Sequence, residues 1–181
     1  MDTFSLPDRQ SGLSLIEVLI TVLILMVGLL GMAGLQSRLQ QSEMEAYQRS
    51  QALLLLNDMA NRLAANRNTA ATFLTDGSSL GTGMTCATET QRDRKEWCDA
   101  LQGAGETSSG SKVGAMLGGR GCVELLEDGS YLITVAWQGL VPLSPPPAGV
   151  SCGANSYDSG AQCQADRCRR VVTTVVRVAD L

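Results

Sequence analysis

The sequence predicts an α+β protein in which a long N-terminal α-helix, with a first half able to cross a membrane, packs on a small antiparallel β-sheet of three to four strands. Three observations lead there. An apolar run from Leu13 to Leu35 carries one ionisable side chain, Glu17. Helical periodicity continues beyond that run to Asn66, and strand-like segments lie around Asp128-Gly129 and from Arg170 to Val178. One helix followed by a run of strands is the element order of an α+β fold.

The apolar run comes first. At about 1.5 Å per residue, Leu13–Leu35 is long enough for a hydrocarbon core of about 30 Å. An acid at mid-helix depth costs roughly 2.5–3.5 kcal/mol on insertion scales, so Glu17 is expected to face a partner rather than lipid. An ordinary secretory signal has a shorter apolar region followed by a small-residue cleavage site, whereas this run is longer and its Gly31-Met32-Ala33-Gly34 end is followed by an uninterrupted helical pattern. A plain single-pass anchor with Glu17 near the interface is the other reading of the same residues.

Past the membrane length the helix turns amphipathic. Leu35, Leu39, Ala46, Leu53, Leu56, Ala60 and Leu63 recur at helical steps, with Arg38, Gln41, Glu45, Gln48 and Arg49 expected on the opposite side. The Leu53–Leu56 cluster is expected to widen the face that meets a sheet. Gly28, Gly31 and Gly34 each cost up to about 1 kcal/mol relative to alanine, which makes their stretch the expected place for a bend or for close helix packing.

From Thr69 to Arg120 the composition shifts to Gly, Ser and Thr, and a long loop region is expected, anchored by Trp97 and Leu101. Two strands, Cys122–Glu127 and Ser130–Trp137, flank Asp128-Gly129, a strong hairpin signal. Tyr131, Ile133, Val135 and Trp137 share one face, assigned to the helix side. A proline-rich loop from Pro142 to Arg167 precedes a third strand, Arg170–Val178.

Six cysteines, Cys86, Cys98, Cys122, Cys152, Cys163 and Cys168, all lie beyond the apolar run. An even count in loop-rich sequence behind such a segment reads as disulfides formed in an oxidising compartment. Fifteen pairings are possible; proximity favours Cys86 with Cys98 and Cys163 with Cys168, leaving Cys122 with Cys152. No C-x₂-C pair supports a thiolate metal site, so no metal is expected.

Other chemistry is sparse. The chain has no histidine, which removes Ser/Cys-His catalysis and histidine-ligated zinc, and no catalytic residue or cofactor is expected. A net charge of −4 argues against nucleic acid as a partner. Arg167, Arg169 and Arg170 read as a solvated strand entrance, with a patch for an acidic partner as the alternative. Glu124 and Glu127 fall on opposite strand faces, and Asp158 and Asp166 read as solvated loop carboxylates. Gly118-Gly119-Arg120-Gly121 lacks the ending of a phosphate-binding loop.

The leader Met1–Gly12, ending Arg9-Gln10-Ser11-Gly12, and the following Leu13-Ser14-Leu15-Ile16-Glu17 resemble the start of type IV pilin precursors. In that family a class III signal peptide ends in glycine and glutamate is the fifth residue of the mature chain. Leu13 stands where phenylalanine is usual. Gly28-Leu29-Leu30-Gly31-Met32-Ala33-Gly34-Leu35-Gln36 is similar to the corresponding segment of PilV-type minor pilins. The resemblance implies a cut between Gly12 and Leu13 by the prepilin peptidase, N-methylation of Leu13, and pairing of Glu17 with the terminal amine of a neighbouring subunit. It also implies that the glycine stretch loosens inside a filament.

The implied organisation is a leader over 1–12, a transmembrane and assembly helix over 13–35, its amphipathic continuation over 36–66, and a periplasmic or extracellular head over 67–181. The implied role is that of a minor pilin in pilus assembly, twitching motility and adhesion, with no enzymatic activity. Its expected partners are other minor and major pilins, the prepilin peptidase, the inner-membrane assembly platform and a pilus-tip adhesin. The expected location is the inner membrane, head in the periplasm, and then the pilus at the cell surface. A type II secretion pseudopilin and a membrane-anchored periplasmic binding module are the alternatives.

Overall fold

A computed structural model describes residues 14–103, 105, 107–109, 111, 112, 114 and 116–178. The expected leader, with Gly12 and Leu13, lies outside them. Contacts divide the chain into two units, one ending at Ser42 and the other beginning at Glu43.

Helix α1 spans Leu15–Ala65 without interruption. The helix is unbroken through Gly28, Gly31 and Gly34, and in the single chain a Cβ at any of the three would meet nothing within 4 Å. At its start, Ser14 O accepts from Glu17 N (3.0 Å) and Val18 N (3.2 Å), so Ser14 stands at the N-cap and Glu17 in the first turn.

The face that α1 turns to the head is not quite the one periodicity suggested. Gln48, Ala52, Leu56, Met59 and Leu63 are buried, whereas Leu53 and Leu54 are exposed, as are Leu35, Leu39 and Ala46. Gln48 and Glu45, expected on the polar side, are turned inward. Four consecutive leucines cannot share one side of a helix with about 100° between residues, and the steps of four from Gln48 to Leu56 select which of them is covered. Leu56→Ala should therefore cost about 2–5 kcal/mol, whereas Leu54→Ala should stay within about 0.5 kcal/mol in the isolated chain. Urea unfolding of the two variants checks this, and equal losses would refute the assignment.

After α1 come a 3-10 turn, Arg67–Phe73, a two-residue strand β1, Leu80–Gly81, and a second 3-10 turn, Cys86–Thr88. Helix α2, Arg92–Leu101, follows in the stretch that composition alone assigned to loop. Its signal is local: Trp97, Cys98 and Leu101 are buried at helical spacing, and Arg92–Glu96 (2.8 Å) and Lys95–Asp99 (3.7 Å) pair across one turn on the other side. Arg62, paired within α1 with Asp58 (2.9 Å), ties α2 to α1 through Asp93 (3.0 Å) and Glu96 (3.0 Å). A small hairpin, β2 (Thr107–Ser108) with β3 (Ser111–Lys112), completes this region.

The main sheet adds β4 (Arg120–Leu125), β5 (Tyr131–Gln138) and β6 (Arg169–Val176), in the order β1-β4-β5-β6 with every pair antiparallel. The turn between β4 and β5 closes with Leu126 N on Ser130 O (2.8 Å) and Gly129 N on Leu126 O (3.0 Å), and Gly129 takes the positive φ that such a turn needs. The Asp128 carboxyl is held well below the usual carboxylate range, first by the Ser130 hydroxyl and then by Arg177.

Ile133, Val135 and Trp137 of β5 face α1 and share one core with Ala52, Leu56, Met59, Leu63, Phe73, Trp97 and Leu101; Tyr131 is partly buried against it. Trp97 donates its indole N–H to Leu55 O (2.9 Å), and its ring lies directly on Gly121, where a Cβ would sit 2.1 Å from a ring carbon. Glycine at that strand position is what admits the tryptophan. The opposite face of the sheet has its own small core of Cys122, Ala136, Cys152 and Tyr157, with Val171 against it.

Candidate assembly site

Along Leu15–Leu35, Glu17 is the only ionisable side chain, and the most apolar window of α1 has a mean hydropathy of 2.7 with none of it covered by the chain itself. Length and apolarity suit a membrane span. A carboxylate in the first turn complements the partial positive charge of a helix N-terminus, so its position stabilises the helix start before any partner is present. Glu17 is exposed in the single chain.

The head is built on three disulfides, Cys86–Cys98, Cys122–Cys152 and Cys163–Cys168, the pairs that proximity favours. The first bridge closes the turn before α2 onto that helix. The second pins the loop after β5 over the far face of the sheet. The third closes a short loop before β6. Among the described residues no group of histidine, cysteine or acidic side chains could hold a metal ion.

The arginine cluster is neither a solvated entrance nor an open patch. Arg169 is buried, donating from Nη1 to Val150 O (2.8 Å) and Cys152 O (3.0 Å) and pairing through Nη2 with Asp166 Oδ2 (2.9 Å). Arg170 pairs with Glu45 (3.3 Å) on α1 and donates to Val141 O (2.6 Å), while Glu45 also accepts from Leu140 N (3.1 Å). Only Arg167 of the three is exposed.

The loop carboxylates are used as well. Asp166 Oδ1 accepts from Asn155 N (2.7 Å), Asp158 Oδ1 accepts from Asp166 N (2.8 Å), and Glu124 Oε1 accepts from the Ser151 hydroxyl (2.7 Å). These contacts organise a stretch with almost no regular structure, where Asn155, Ala165 and Asp166 all have positive φ. No sequence signal marks them, because the partners lie 8, 11 and 27 residues apart in irregular chain or between loop and strand. Tyr157 lies over the same face: its hydroxyl donates to Gly118 O (2.8 Å), Arg120 stacks 5.1 Å from its ring centre, and burial pushes its phenol upward.

Among the described residues one helix is long and apolar enough for a membrane, it carries a lone acid in its first turn, and the α+β head behind it is stapled by disulfides, which is the layout of a membrane-anchored subunit. Two family models match adjoining stretches of the chain: the prokaryotic N-terminal methylation motif over residues 7–33 and the type IV pilin Tt1218 family over residues 34–106. With the fold, they support a type IV pilin carrying a class III signal peptide, a structural family without enzymatic activity. No curated protein and no solved structure matches the chain. Pilins of this class are anchored in a membrane, processed by a prepilin peptidase and assembled with other pilins.

Proposed function

We propose that this pilin is a minor subunit of a type IV pilus that takes part in initiating assembly and thereby in twitching motility and adhesion. It is cut between Gly12 and Leu13, methylated at the Leu13 amine, and held in the inner membrane by residues 13–35 with the head, 67–181, in the periplasm. The amphipathic part, 36–66, joins the two. In assembly Glu17 meets the terminal amine of a neighbour, and the chain then leaves the membrane for the pilus. Other minor and major pilins, the assembly platform and a tip adhesin are its proposed partners.

One observation carries this reading: the lone acid of the apolar helix lies in its first turn, five residues past Gly12. Two charges removed from water recover part of their desolvation only by meeting each other, and cleavage creates the second charge. Mass spectrometry of the mature N-terminus is the direct test. A chain beginning at methylated Leu13 is expected, whereas one that retains Met1 or starts beyond Gly34 would end the pilin reading. Deletion should abolish or reduce pili; loss of exoprotein release instead would assign the subunit to a type II secretion pseudopilus.

A further inference from the structure

The two edges of the main sheet are finished differently. At one edge β1 is only two residues long, Gly81 N meets Cys98 Sγ (3.4 Å), and α2 lies alongside. At the other, β6 pairs with β5 on one side only. From Val171 to Val176 its outward main-chain groups meet no partner among the described residues.

Natural edges are blunted by lysines, proline, bulges or shortness. Between Val171 and Val176 this one has none of them, its charges being confined to Arg169 and Arg170 at the start of the strand. Val171-Val172-Thr173-Thr174-Val175-Val176 is six consecutive β-branched residues without charge, glycine or proline, the composition that most favours an extended strand. Thr173 and Val175 are exposed on the face away from α1, while Val172 and Val176 pack on the core side. The strand is thus held firmly by its own sheet and left open at its edge.

We propose that β6 is a docking edge for an extended segment of a different protein, which adds antiparallel to it as a fifth strand. The segment is uncharged and rich in β-branched residues over about six positions and carries a carboxylate at its C-terminal end. Main-chain hydrogen bonds provide the attraction, and alternate side chains continue the two faces of the sheet. The carboxylate follows from the ends of β6. Arg167, exposed and without an ion-pair partner among the described residues, precedes the strand, and an antiparallel segment ends beside it.

A second copy of this chain fits the edge poorly. In parallel register two copies would set Arg167 beside Arg167, and in antiparallel pairing each Arg167 would lie beside the other copy's Arg177, whose charge Asp128 offsets in part (2.8 Å). Antiparallel self-pairing about a two-fold axis would also set the two copies' helix segments on one face in opposite senses. Chains that enter one membrane through their N-terminal helices run in the same sense; this last point rests on the pilin reading, while the edge and its charges do not.

The test uses the full chain in detergent micelles and the fluorescein-labelled peptide Thr-Val-Thr-Val-Thr-Val-Asp-Glu. Saturable binding by anisotropy is expected, with slowed amide exchange confined to Val171–Val176 and its β5 partners. Thr173→Lys with Val175→Lys, both at exposed positions, should weaken binding at least about tenfold with the thermal transition unchanged. A peptide with proline at its two central positions should not bind, which gives the same answer from the peptide's side if the lysine variant proves unstable. Arg167→Glu should weaken the acidic peptide and not one ending in amidated asparagine and glutamine. Absence of binding at about 1 mM, or undiminished binding to the lysine variant, would overturn the proposal. Concentration-dependent dimerisation that protects β6 without peptide would overturn the choice of occupant. The mature N-terminus is measured separately, so failure of either reading leaves the other readable.

Discussion

Arg169→Ala is expected to destabilise the head by about 3 kcal/mol, the low end of the range for removing one partner of a buried pair, because Asp166 keeps some contact with water. The guanidinium serves three acceptors at once: the carbonyls of Val150 and Cys152 and the Asp166 carboxylate. Its removal leaves the buried carbonyl of Cys152 and the half-buried one of Val150 without this donor, and a carboxylate whose remaining donor is Asn155 N–H. The Cys122–Cys152 bridge cannot substitute for it, since a covalent tie at one point does not satisfy polar atoms around it. Arg169→Lys should recover only part of the loss, because an ammonium cannot reproduce the planar fork. Urea unfolding of the full chain in detergent measures both variants; a loss below about 1 kcal/mol for alanine would show that the loop is held by its disulfides alone.

Glu17→Ala is expected to leave membrane insertion intact, or to ease it by up to about 2.5–3.5 kcal/mol, while reducing incorporation into filaments by at least about tenfold. The two effects have opposite signs because the acid is a burden in lipid and an asset only when paired. Quantifying the variant in membrane and sheared-pilus fractions separates them. Normal incorporation would remove the pairing role and leave Glu17 as a helix-start residue alone. An equal fall in both fractions would mean that the variant fails at insertion, which the physical argument excludes.

Periodicity and turn chemistry made much of the architecture legible. The apolar run with Glu17, the helix continuing to Ala65, the hairpin at Asp128-Gly129 and the strand ending at Val176 all rest on interactions within a few residues. Helix α2 was legible in principle, but its three buried residues lie in glycine- and serine-rich surroundings that outweighed them. The candidate assembly site was legible for the same local reason: an isolated acid in an apolar segment stands out without any knowledge of the fold.

What only the tertiary structure decided concerns partners far apart in the chain. Glu45 and Gln48 face inward because the loop after β5 and the Arg170 side chain lie against that side of α1, and nothing near residue 45 announces them. Arg169 became a buried strut and Asp166 its counter-ion because the Cys122–Cys152 bridge draws one loop across the sheet. The open edge of β6 is likewise a property of strand order, not of strand composition. Short-range repeats and turns are set by backbone geometry, which the sequence alone determines here. The fate of each charge depends on which remote surface reaches it, because desolvation and pairing are settled only when the chain has closed on itself.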